Sequence, residues 1–512
     1  MATVSLNSAA GKWIMVSTIL ASAMAFIDAT ALNVVLPALQ QSLKATGADI
    51  FWILNAYLLM LASLILIGGA MGDKLGRKKV FMAGILIFII GSAACGLAAS
   101  VTLLVIFRVL QGVGGALMIP GSLSLISSSI NAQQRGKAIG TWSAFTTVVT
   151  MGGPILGGAL ADAGLWRYIF FINIPIGLAT LLMLGFKVKE IKDESNHNKL
   201  DIAGAVTIAA GLALLTFGFL RIPAVGFGSL QAYGSLALGL MFLVVFIVIE
   251  IKSSHPMMPL SLFANTTFSG ANLLTFFLYA GLGAGMLFMS LNLVQVQGYS
   301  QLQSGLTFLP FTVLMVTIAR FAGSMADKYG PRLFLIFGPA IAGAGLLILS
   351  FIKQTAGPPD YWVTFFPGVL VLGLGMSLTV APLTAAVMGS VDEHFSGTAS
   401  GINNAMTRIS GVFANAIFGA LAVLFFSGAL QQQLKTVTLN AKDKQTVMQQ
   451  TADLGNAKVP AAISPANKPV IAKAYKAGFI AAYANIMRIS AALGFLGAFM
   501  ALVFIRGKHL RT

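Results

Sequence analysis

Apolar residues run along this chain in long unbroken blocks separated by short polar connections, with no sustained alternation between apolar and polar positions. The blocks fall near 13–37, 50–71, 79–99, 101–128, 136–161, 168–187, 202–220, 231–251, 268–294, 303–325, 333–352, 362–388, 398–427 and 479–505. Each is close to or above the ~20 residues that a helix needs to cross a hydrocarbon core about 30 Å thick. The pattern therefore predicts an all-α polytopic membrane protein with 14 transmembrane helices. A spanning β-barrel would instead show short segments of alternating polarity. An even number of spans returns both termini to one side.

Composition agrees with this reading. Apolar residues make up 57% of the chain and charged ones only 9%, against about a quarter charged in soluble domains. A net charge of +17 would suggest nucleic acid as the partner of a soluble protein. Here, however, the Lys and Arg residues sit mostly in alternate connections, among them Lys74, Arg77, Lys78, Lys79, Lys187, Lys252, Lys328 and Arg332. The intervening short connections carry only Lys44, Arg167, Arg221 and Lys353. Positive residues mark the cytoplasmic side, so both termini are expected there. The first block contains Asp28 and is too long for a cleaved signal peptide. The single cysteine, Cys95, excludes an intrachain disulfide. No HExxH, paired acidic metal site or GxxxxGK[ST] loop occurs, which leaves little catalytic or ATP-driven machinery.

Two stretches echo each other: GVGGALMIPGSLSL from Gly112 and GLGMSLTVAPLTAA from Gly373. GGAMGDKLGRKK has a fainter counterpart in GSMADKYGPR. Internal repeats of this kind characterise secondary transporters. They divide the chain into a six-helix bundle over 1–187, a linker with two extra helices over 188–253, and a second six-helix bundle over 254–512. The last includes a long outside loop, 427–478, expected to be a solvated cap with a short amphipathic helix.

Asp28 lies in the middle of the first span, where a charge costs at least ~2.5 kcal/mol unless it faces a protein interior or wet cavity. Arg108, seven residues into the fourth block, can reach a similar depth. Two readings follow: a permanent structural tie, or a proton-binding site. Burial opposes the charged carboxylate and a nearby guanidinium favours it, by comparable amounts, so a small separation of the pair would switch its protonation. Arg320 stands seven residues before Asp327 on one helical face and is expected to be its gate partner. Arg408, deep in the thirteenth block, is either structural or part of a ligand site. Glu250, at the end of the eighth, is expected to reach out to the membrane surface, and Arg488 to mark the start of the last helix.

Several motifs narrow the field. The turn GAMGDKLGRKK, Gly69 to Lys79, resembles the signature loop of the major facilitator superfamily. Asp28, Thr30, Asn33 and Pro37 match a DxTxxNxxxP pattern, and Arg108, Gln111, Gly112 and Gly114 an RxxQGxG pattern. With GGPILGG (Gly152 to Gly158), WRYIFFINIPIG, HPMMPLSLF and QVQGYS, these resemble the fourteen-helix drug:proton antiporters of that superfamily.

The resemblance implies a major facilitator fold of two six-helix bundles plus two inserted helices. It also implies a proton-coupled exporter of lipophilic or amphiphilic small molecules, of multidrug efflux type, in the inner membrane of a bacterium. Such a protein would be monomeric, would need no cofactor beyond the proton gradient, and would have substrate, protons and bilayer, not nucleic acid, as partners. Asp28 and Arg108 would couple to protons. Gly69, Asp73, Gly76, Arg77, Arg320 and Asp327 would form the conformational gate, and Gly152, Gly153, Pro154, Gly157 and Gly158 the antiport motif. Met24, Thr30, Asn33, Trp52, Asn55, Tyr57, Gln111, Met118, Trp142, Met151 and Arg408 would be candidates for the substrate cavity. The 36 Phe and 22 Met suit an adaptable lining. The alternatives are a dedicated exporter of an endogenous lipid, siderophore or anionic metabolite, and a membrane receptor or enzyme without transport.

Overall fold

Seventeen helices follow one another in the computed structural model, which describes residues 4–188, 190, 201–226, 229–254, 256–391, 396–437 and 439–506. The first group comprises α1 (Ala9–Leu43), α2 (Gly47–Leu75), α3 (Arg77–Leu97), α4 (Val101–Ser129) and α5 (Ala132–Asp162). A sixth span is shared by α6 (Tyr168–Phe171) and α7 (Asn173–Lys187). The inserted pair is α8 (Ile202–Val225) and α9 (Leu230–Lys252). After them come α10 (Thr266–Gln295), α11 (Gln301–Leu306), α12 (Leu309–Tyr329), α13 (Arg332–Leu349), α14 (Phe365–Gly389), α15 (Ser396–Gln433), α16 (Ala441–Gln449) and α17 (Lys468–Phe504).

Among the described residues, 13 helical stretches are long and apolar enough to cross a membrane, close to the 14 expected. The difference lies in α5. It is helical over the whole expected block, but several of its side chains before Val148 lie outside the described residues, and the described apolar stretch is Val148–Asp162. The 427–478 loop is also shorter than expected. Helix α15 continues to Gln433, and α17 starts at Lys468 because Tyr475, Phe479 and Tyr483 pack its first turns onto the bundle. Arg488 consequently lies inside α17, exposed and donating to Asn485, rather than at the start of the helix.

The sequence echo has a structural counterpart. Helix α2 ends at Gly76 (φ +110) and α12 at Gly330 (φ +87), left-handed positions that an L side chain rarely adopts. At each, the glycine amide closes the last turn on a carbonyl four residues back, of Gly72 or of Ala326. Close crossings repeat as well: Gly84 meets Gly114 where α3 crosses α4, and Gly338 meets Gly375 where α13 crosses α14. Small residues let helix backbones approach in lipid, where no hydrophobic drive between helices exists.

Helices α1 to α7 pack among themselves, chiefly α2 and α3 on α4, and α5 and α7 on α1. Helices α10 to α17 do likewise through α10–α17, α13–α14 and α12–α14. The inserted α8–α9 pair leans on α2 and α15. Between the halves, α2 runs along α15, and α5 meets α11.

One end of the molecule gathers the basic turn Lys74–Lys79 and the connection after Lys187; we call it the basic end. At the opposite, far end the halves share one apolar core, in which Leu36, Leu39, Phe51 and Leu54 of the first pack with Phe288, Phe418 and Phe426 of the second. Toward the basic end the first half has a core largely its own, of Ile14, Met24, Tyr57, Phe81, Phe88 and Ile126. There α12 packs little on α5, and Phe145, Val148, Val313, Val316 and Phe321 are exposed. Among the described residues, the seam between α5 and the second half is thus closed at the far end only.

Candidate functional site

Helices α1 and α4 run in opposite directions, so Asp28 and Arg108, entering from opposite ends, meet. Arg108 donates through one terminal nitrogen to Asp28 Oδ2 at 2.5 Å and to Gln111 Oε1 at 2.7 Å. Its Nε donates to the Ile53 carbonyl of α2 at 3.3 Å. Gln111 Nε2 closes the ring by donating to Asp28 Oδ1 at 2.9 Å. The guanidinium lies 4.4 Å over the Tyr57 ring, and Cys95 Sγ stands 3.8 Å from Gln111 Oε1. Asp28, Arg108, Gln111, Tyr57 and Cys95 are all essentially inaccessible to solvent.

This closed set has a chemical consequence. A proton on Asp28 removes the only ion-pair partner that Arg108 has among the described residues and leaves a buried guanidinium, a state costing ~3–5 kcal/mol unless it is relieved. Relief requires Arg108 to move or to gain water. Loss of the Asp28 charge would therefore favour a rearranged ring. Gln111 and Tyr57, expected in a substrate cavity, belong to this ring, because α4 and α2 turn them toward Asp28.

The glycine run on α5 sorts its members by neighbour. Thr30 of α1 donates to the Thr150 carbonyl at 3.0 Å, and a Cβ on Gly153 would collide with its hydroxyl. A Cβ on Gly157 would lie 2.7 Å from the Ala31 carbonyl oxygen. Gly158 faces the other half: a Cβ there would lie 2.5 Å from the Gln301 carbonyl oxygen and 2.6 Å from Leu302 Cα. Gly305 of α11 closes on the Pro154 carbonyl in return. Gly152 faces open space. The run therefore joins α1, α5 and α11 at the far end.

Other expected cavity residues divide. Met24 and Met118 are wholly buried in the core of the first half. Trp52 is half-buried against the shared core, and Trp142 ties α5 to α1 by donating to Ser22 Oγ at 3.1 Å. Asn33 is half-buried. Asn55 is fully buried, with neither amide atom hydrogen-bonded. Arg408 is half-buried on α15, within electrostatic range of the Tyr57 and Tyr279 hydroxyls and, among the described residues, without an ion-pair partner.

At the basic end, Gly69 packs beside Pro120, and Arg77 donates to the Ser124 carbonyl at 3.4 Å. The side chains of Asp73, Asp327 and Met151 lie outside the described residues. Arg320 is exposed and forms no ion pair among the described residues. Seven residues put two positions on one face but ~10 Å apart along the axis. The carboxylate at the start of α3 comes from Glu190, which accepts the Lys78 and Lys79 amides at 3.0 and 3.1 Å.

Sequence reasoning also missed the polar seam at the far end. The Asp162 carboxylate of α5 accepts from Ser300 Oγ (2.7 Å) and from the Gln301 and Leu302 amides (2.8 and 2.9 Å) at the start of α11. Gln40 of α1 donates to the Asp453 carbonyl and accepts from Gln295 of α10 and Asn456. Leu454, with φ 55, is buried in this junction, so the 434–467 connection is packed rather than simply solvated. Burial pushes the Asp453 carboxyl above its usual range, with Lys458 pulling the other way. Single polar residues near helix ends carry no signal that distinguishes them from solvated ones. Asp162→Ala is expected to cost about 1–2 kcal/mol of capping and to speed amide exchange at Gln301 and Leu302. Unchanged exchange would remove Asp162 from the seam.

Known proteins share this fold. A bacterial homologue of the human lysosomal transporter Spinster aligns over 97% of this chain and 98% of its own, with a TM-score of 0.65 and 18% identity. A POT family peptide transporter aligns over 96% of both chains, with a TM-score of 0.63 and 15% identity. In sequence, the chain is 32% identical to the tetracenomycin C resistance and export protein of Streptomyces glaucescens, over 78% of this chain and 73% of that one. It is 29% identical to the multidrug resistance protein Stp of Mycobacterium tuberculosis, over 86% and 81%. Residues 18–415, from the first span through most of α15, match the Major Facilitator Superfamily, and with the repeated half-bundles and the basic turn at Gly76 this establishes that the chain belongs to that superfamily of membrane transporters.

Proposed function

We propose that this transporter exports lipophilic or amphiphilic small molecules in exchange for protons. The reading rests on a single observation: a carboxylate at mid-membrane depth, sealed in a ring whose only cation loses its partner when the acid is protonated. The names of the relatives, which concern resistance and export, support the direction of transport. The basic end faces the cytoplasm of a bacterium, following the Lys and Arg distribution, and both termini lie there. Residues 1–187 and 254–512 rock against each other, with 188–253 as an insert. Asp28 takes a proton when the far end opens and releases it when the basic end opens. One charge crossing ~100 mV contributes about 2.3 kcal/mol before any pH gradient is added. No cofactor takes part, and the monomer is the working unit.

Arg408 favours cargo with a negative or zwitterionic group, since a half-buried guanidinium without an acid partner gains most from a ligand anion. Proteoliposomes with an imposed pH gradient test the scheme against a panel of anionic and cationic amphiphiles. Cargo-dependent proton flux is expected, and Arg408→Ala should weaken handling of anionic cargo about tenfold more than that of cationic cargo. Equal losses would remove Arg408 as a ligand, and no cargo-dependent proton flux would remove the exchange itself.

A further inference from the structure

Away from Asp28, two more carboxyls converge at the basic end of the inserted helix pair. Asp201 caps α8, its Oδ1 accepting the Gly204 amide at 2.7 Å. Glu250 stands in the last turn of α9, and its Oε2 accepts the Met258 amide at 2.9 Å. It is 3% exposed, so it does not reach out to the membrane surface as its position near the helix end suggested. The remaining oxygens, Asp201 Oδ2 and Glu250 Oε1, are buried and have no hydrogen-bond partner. Both point at one spot, since a Cβ added to Gly204 would lie 2.7 Å from the first and 3.0 Å from the second.

Two ionised carboxylates in this position would repel each other, and each would leave a buried acceptor unsatisfied at ~1–3 kcal/mol or more. A single proton between them removes one charge and converts both orphan oxygens into one O–H···O⁻ hydrogen bond. No described cation takes its place: Lys252 of α9 and Lys74 of α2 are exposed, and neither they nor Arg221 of α8 and Arg408 of α15 pair with either acid. Lys199 and His255 lie outside the described residues.

We propose that Asp201 and Glu250 share one proton and form a second proton-binding site, at the base of the α8–α9 pair. The site joins the start of α8, the end of α9 and, through the Met258 amide, the connection into the second half. Protonated, it holds these three points together. Once the proton leaves as pH rises, mutual repulsion loosens them.

Infrared difference spectroscopy of the full-length protein in lipid tests this. Glu250→Gln keeps an oxygen for the Met258 amide and offers an N–H to Asp201 Oδ2, imitating the protonated pair. Asp201→Asn keeps an equally good N-cap for α8. A protonated carboxyl band that titrates with pH is expected in the native protein. It should vanish in either variant and persist in Asp28→Asn. The protection of the Met258 amide, with the intrinsic base catalysis of exchange divided out, should fall as pH rises in the native protein and should lose that dependence in Glu250→Gln. A band that survives both substitutions overturns the proposal, as does its absence from the native protein. So does its loss on adding sodium or potassium at constant pH, which would mark a cation site. Neither variant touches Asp28, so failure here leaves the export reading intact.

Discussion

Asp28→Asn is expected to abolish uphill transport driven by a pH gradient while downhill exchange of the same cargo continues. The substitution preserves shape but removes the anion facing Arg108, with which it shares a buried ion pair and a common hydrogen-bonding partner in Gln111. Leaving that guanidinium without its counter-charge costs ~3–5 kcal/mol, so the variant should also melt at a lower temperature. Stability and coupling can be separated with the pair Asp28→Asn, Arg108→Gln. Removing both charges should recover most of the lost stability, because neither partner is left as an uncompensated buried ion. Uphill transport should stay at background in the double variant. If cargo were still pumped against its gradient by either protein, Asp28 would be a structural tie and the proton would travel elsewhere.

The second large effect is expected from Gly158→Ala, measured against Gly152→Ala. A Cβ at 158 presses on the backbone of Gln301 and Leu302, which cannot rotate away as a side chain can, whereas a Cβ at 152 meets nothing within 4 Å. Overpacking of this kind costs ~1–3 kcal/mol, and it is felt only while the far end is closed. The balance between far-end-closed and far-end-open states should shift about 5- to 150-fold toward opening. A Ser304→Cys reporter in a Cys95→Ala background, buried here at the seam, reads this as faster labelling by a membrane-impermeant thiol reagent. Gly158→Ala should speed labelling and depress transport, and Gly152→Ala should do neither. Equal behaviour of the two would mean that the glycine run acts through local helix flexibility and not through the contact between halves.

These two sites show how differently their parts could be read. The placement of Asp28 and Arg108 at matching depths follows from counting residues along helices of opposite direction, and the pairing is found. Gln111 lies three residues from Arg108 and was expected to face cargo, yet it completes the ring. Within the glycine run, the members that meet α1 and the one that meets α11 look alike in sequence. Arg320 and Asp327 share a helical face, but seven residues also separate them by ~10 Å along the axis.

What the chain determined unaided was the set of spans, the polarity of the two ends, the repeat of the halves and the depth of the buried charges. These depend on properties local to each segment: apolar length against bilayer thickness, the rise of a helix, and the refusal of Lys and Arg to enter lipid. Only the tertiary structure decided that Gln111 closes the Asp28 ring, that Asp162 and Gln40 pin the far-end seam, and that Asp201 meets Glu250. Those are meetings between residues up to hundreds of positions apart. Which helix face turns toward which neighbour is set by the packing of the whole bundle, and no single segment contains that information.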